Sequence, residues 1–117
     1  MKRKWIANPS GYVAPPLDGI WASAPYLHNG SVPTLWHLLH PSERPAVWKR
    51  TTQQYDPIRV GLPVDAWDQL PADVTDAAVK RTYFDTSRFG MRSSGHDYPN
   101  QLDEQEKREV LEYLKTL

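Results

Sequence analysis

The chain of 117 residues contains no cysteine. That excludes disulfides, thiolate zinc sites, cysteine nucleophiles and covalent haem attachment through C-x-x-C-H. It also has no net charge, because 14 Lys and Arg balance 14 Asp and Glu. Neither nucleic acid nor an anionic membrane is therefore an expected partner. No stretch approaches the ~20 apolar residues of a membrane span. The basic start, Lys2-Arg3-Lys4, is not followed by the apolar run of roughly 7–15 residues that an export signal requires. Leu, Ile, Val and Phe make up only about a fifth of the chain, which is at the margin of independent folding. No G-x-S-x-G is present, so Ser93, Ser94, His96 and Asp97 do not make a hydrolase by being adjacent. The carboxylates are scattered, and no pair stands out for acid–base work.

Rings and corners fill the gap left by aliphatics, with 5 Trp, 6 Tyr and 11 Pro. The proline content is about twice the usual ~5% and implies many fixed turns. Residues 1–15 read as an extended or disordered lead-in, and 16–117 as one domain. A first helix is expected over 34–40, with Leu35, Leu38 and Leu39 on one face and Pro41 as its stop. Residues 46–54 are ambiguous. Strand patterns occur at 55–61 and 81–86, with a weak helix around 74–80 between them. The C-terminal helix is the clearest element. Asp103-x-x-Glu106 forms a capping box, and Val110, Leu111, Leu114 and Leu117 then make one stripe. The expected fold is mainly α and loop-rich, with a short two-stranded β element.

Three places carry candidate chemistry. PLDGIWASAPYLHNGSVPTL, residues 16–35, puts Trp21, Tyr26 and His28 into a stretch with neither helical nor strand period. His37 and His40 are spaced i, i+3, which permits a shared metal with His28 as a third ligand. The stronger alternative for His40 is a helix C-terminus, where imidazole meets free carbonyls. In Ser94-Gly95-His96-Asp97-Tyr98, glycine removes bulk before an imidazole, and Tyr98-Pro99 stiffens the exit into the capped helix. That arrangement suits a ligand imidazole on a fixed loop, or a turn in which His96 satisfies a neighbouring carbonyl.

The 16–35 stretch resembles a segment of large c-type cytochromes related to the di-haem cytochrome c peroxidases and the rubber-oxygenase-like haem proteins. Arg44-Pro45, Tyr55-Asp56-Pro57, Val60-Gly61, Phe84-Asp85-Thr86, Gly95-His96-Asp97-Tyr98 and the closing helix continue the resemblance in order. It covers roughly residues 12–117. It implies a cytochrome c-like C-terminal portion lying beyond a C-x-x-C-H motif and lining that haem. It further implies Trp21, Tyr26 and His28 against the macrocycle, and His96 as distal axial ligand and candidate iron-binding residue, with Met91 its competitor. Arg44 or Arg92 would meet the propionates. Family members are exported.

The departure is that this chain lacks cysteine and the proximal histidine that the motif supplies. The reading that follows is a haem-pocket portion with an ancestral role in electron transfer or peroxide and oxygen chemistry, not active by itself. It would meet haem non-covalently and partner a haem-bearing polypeptide or itself. The alternative is a non-catalytic interaction module that docks through exposed aromatics. A third reading is a binder of a small aromatic or lipid-like molecule.

Overall fold

The computed structural model describes residues 16–117; the lead-in expected over 1–15 lies outside them. After a 3-10 turn at Ile20–Ala22, the chain forms a short helix α1 (Leu35–Leu39) and a second 3-10 turn at Pro41–Glu43. Strands β1 (Val47–Arg50) and β2 (Val64–Trp67), helix α2 (Ala77–Lys80) and strand β3 (Phe84–Asp85) follow. A 3-10 turn at Tyr98–Gln101 leads into α3 (Glu104–Leu114). Among the described residues no helix is long and apolar enough to cross a membrane.

The expectation of a mainly α fold is overturned. The described residues are 29% helical and 15% strand, and the strands form a three-stranded antiparallel sheet in the order β2-β1-β3. The central strand falls in the ambiguous stretch. Trp48 pairs with Ala66 on one side and Phe84 on the other, and its ring lies flat on the Phe84 ring at 5.1 Å. Trp67 and Tyr83 rings meet at 5.2 Å. The Trp48–Phe84 contact is a cross-strand aromatic pair, which stabilises a sheet by about 0.2–1 kcal/mol, and no single segment reveals it. The alternation at 55–61 gives no strand. The Asp56 carboxylate accepts from the backbone N–H of Ile58 and Arg59, closing a turn around Pro57.

Tyr26, Val32, Leu35, Leu39, Val60 and Leu111 form the buried cluster that joins α1 to α3. Five residues are too few for a helix to persist alone, and α1 is held at its start by neighbours. Thr34 caps it by accepting from the His37 N–H at 3.0 Å. The Leu35 and Trp36 N–H groups, orphans at a helix start, donate to the carbonyls of Val60 and Arg59. The α3 capping box forms as expected, with Asp103 and Glu106 bonded reciprocally.

Gly61 sits where the 56–61 turn presses on the start of α1. A Cβ there would strike the Pro33 carbonyl oxygen and lie 2.7 Å from Thr34 Cα, both backbone atoms that cannot swing aside. Gly61→Ala should therefore destabilise by more than about 2 kcal/mol. Denaturant unfolding of the two proteins measures it; equal midpoints would mean that the turn and α1 are not packed as described.

Candidate functional site

Residues 88–97 have almost no regular structure, so their carbonyls need partners from elsewhere. Arg44 supplies three of them. Its Nε donates to the His37 carbonyl at 3.2 Å, and Nη2 donates to Leu38 at 2.9 Å, both at the end of α1. Nη1 donates to Ser93 at 2.7 Å and Gly95 at 2.5 Å, and Nη2 also to His96 at 2.9 Å. All five N–H donors of the guanidinium thus meet carbonyl oxygens. Burial pulls the guanidinium below its ordinary pKa while Asp97 opposes the shift; arginine stays charged regardless. Asn29 pins the other half of the loop. Its Nδ2 donates to Arg92 at 2.7 Å and Gly90 at 3.3 Å, and its Oδ1 accepts from Ser31 N–H at 3.1 Å.

Most of the expected site residues lie on these two joined segments. His96 is exposed with a left-handed φ of 56°. Met91 is half-buried and Arg92 exposed on the same loop, while His28 is exposed on the facing bend beside Asn29. Trp21 is exposed, and its carbonyl accepts from the Tyr55 hydroxyl at 2.6 Å. Tyr26 is apart from them. It is buried in the core, its hydroxyl donates to the Ile20 carbonyl at 2.7 Å, and desolvation pushes its pKa up.

His37 and His40 separate in function. His40 Nδ1 donates to the Trp36 carbonyl at 2.7 Å, the helix-end role, and Nε2 meets the Glu104 carboxylate at 3.1 Å. Both partners only accept, so a ring carrying both protons satisfies the pair. That bond is the main reason the Glu104 carboxyl lies below its ordinary range. His37 is buried, and its Nδ1 lies 2.7 Å from the Thr34 hydroxyl. Desolvation, then Arg59, lowers its pKa to about 4. Among the described residues no group of three or more His, Asp or Glu could hold a metal ion. The clefts along α1 are lined by His37, Arg44 and Arg59 rather than by Trp21, His28, Met91 or His96. Asn29 and Thr34 are the polar residues that sequence reasoning missed. Thr34-x-x-His37, with its hydroxyl three residues before the histidine, was the available signal.

Residues 11–49 match a family model described as RoxA-like, cytochrome c-like. Two curated relatives come from Sinorhizobium fredii (strain NBRC 101917 / NGR234). The uncharacterized protein y4iM is 40% identical over 119 residues, covering 91% of this chain and 27% of the relative. The uncharacterized protein y4iJ is 36% identical over 126 residues, covering 99% of this chain and 19% of the relative. The chain therefore spans about a quarter or less of the length of these relatives. The family match supports a relation to the rubber-oxygenase-like c-type cytochromes, and with it a cytochrome-related module.

Two measurements follow from the geometry. Arg44→Lys keeps the charge but not the planar fork. It should cost about 2 kcal/mol or more in stability and raise hydrogen exchange across 90–97; unchanged exchange there would dismiss the clamp. For His37, the unfolded chain binds a proton near pH 6.5 and the folded chain only near 4. The unfolded state holds more protons between those values, so stability is full above about pH 6.5 and falls as pH drops toward 4. The loss should be about 2 kcal/mol after allowance for solvent screening, and His37→Gln should remove that part of the acid dependence in a melting series.

Proposed function

We propose that this chain is the distal-side portion of a cytochrome-related haem site, working with a polypeptide that carries the haem. The observation that carries the reading is the exposed His96 imidazole on a loop whose carbonyls are fastened by Arg44 and Asn29. The donor set fits the group. His96 is accessible to iron, with the Met91 thioether as the competing ligand on the same anchored loop. With every N–H of Arg44 already engaged, Arg92 is the cation left to meet a propionate. Trp21 and His28 would border the macrocycle, whereas Tyr26 holds the bend from within. Haem, when bound, supplies electron transfer or peroxide and oxygen chemistry; without cysteine its attachment here is non-covalent. The chain's own work is to orient the imidazole and to keep the loop from collapsing. The cytochrome c-like family match supports this reading.

Titrating hemin into the full chain at micromolar concentration tests it. The expected result is a Soret shift that is lost in His96→Ala and retained in Met91→Ala. No shift, or a shift indifferent to His96, would overturn the assignment of the ligand.

A further inference from the structure

A second site lies along α1, and its logic starts with one hydroxyl. Thr34 Oγ1 accepts the His37 backbone N–H at 3.0 Å, which leaves its own proton to donate. The His37 Nδ1 at 2.7 Å takes that proton. A neutral imidazole that accepts at Nδ1 carries its hydrogen at Nε2. No partner for Nε2 occurs among the described residues, although His37 as a residue is only 6% exposed and lines two adjoining clefts of about 720 and 290 Å³.

Arg59 lines both clefts as well. Its backbone is fixed on each side: the N–H donates to Asp56 at 3.0 Å and the carbonyl accepts from Trp36 at 3.0 Å. The guanidinium stacks on the Trp36 ring at 4.5 Å and makes no hydrogen bond among the described residues. Stacking leaves the edge of the fork free for a bidentate acceptor. A buried neutral donor and a preorganised cation thus face common space.

We propose that this cleft binds the carboxylate of a small organic acid between the His37 ring N–H and the Arg59 guanidinium. Charge decides against a dianion. Arg44 has no donor to spare, while Glu43 and Asp68 line the larger cleft and Asp56 and Asp65 the smaller. Pro45, Ala46, Ala66 and Trp67 give the larger cleft an apolar wall, so an acid with an apolar body is the better fit. The site is independent of the haem reading, because neither His37 nor Arg59 belongs to the His96 loop.

Benzoate, acetate and inorganic phosphate, titrated separately into the full chain and followed by calorimetry and by the NMR signal of His37 Nε2–H, provide the test. Benzoate should bind and shift that signal, with acetate weaker and phosphate weakest. Arg59→Gln, at an exposed position, should weaken benzoate at least tenfold, and Arg59→Lys should recover part of the loss. Benzoate binding that leaves the His37 signal unmoved, phosphate equal to or tighter than benzoate, or full affinity in Arg59→Gln would each overturn the proposal. Melting curves of both variants separate lost binding from lost fold.

Discussion

One guanidinium determines how the irregular half of this protein is held. Arg44 donates all five of its N–H groups to carbonyl oxygens, two at the end of α1 and three in the loop that ends at His96. Loop segments lose backbone entropy on ordering and gain little apolar burial in return. Charge-assisted bonds to an ion that is itself partly buried supply an alternative. The thin aliphatic content makes that alternative necessary. The core cluster consists of six buried side chains, and none of them lies between residues 88 and 97. A lysine could not span the same acceptors, because its donors radiate from one point.

Helix α1 is the hub on which the clamp acts. Its start is satisfied by carbonyls of the 56–61 turn and its end by Arg44. Its two histidines then face different tasks. His40 fastens the helix to α3 through Glu104, and its ring stacks on Trp36 at 4.0 Å. His37 bonds Thr34 through Nδ1 and lines the clefts. Five residues of helix therefore join the core, the C-terminal helix, the loop of His96 and the candidate carboxylate site.

What the sequence disclosed, and what it hid, divides by range. Local signals were readable: the stripe of α1 and the reciprocal Asp103–Glu106 cap are both set by residues within a few positions of one another, whereas α2 begins at Ala77 behind an Asp76 cap, later than the 74–80 helix expected. The sheet was misjudged because β1 is defined by partners 14 to 38 residues away. Trp48 becomes a central-strand residue only when Ala66 and Phe84 are beside it. The 55–61 alternation was misread because one Asp56 carboxylate outcompetes the strand pattern. The loop around His96 was expected to be fastened at its ends. Its carbonyls are instead caught in the middle by one residue, Arg44, which lies 49 to 52 positions before the three it holds. Arg44, expected at a propionate, is consumed by the backbone, and no pattern in the sequence distinguishes these two uses of an arginine.

Among the described residues three that are not glycine have left-handed φ: Leu27 at 65°, Val60 at 64° and His96 at 56°. Such conformations cost on the order of 1 kcal/mol and are held only where surroundings over-determine them. Each of the three offers a carbonyl that is used: Leu27 accepts from Gly30, Val60 from Leu35, and His96 from Arg44. Val60 is the most demanding case, since it is β-branched, and its carbonyl supports the first N–H of α1. The strain thus sits at the three joints that set the bend, the helix and the loop. At His96 it falls on an exposed imidazole in a segment with no packing reason to adopt it. Arg44 holds that residue's backbone while leaving its ring free, which is the arrangement expected of a side chain placed for contact with something outside the chain.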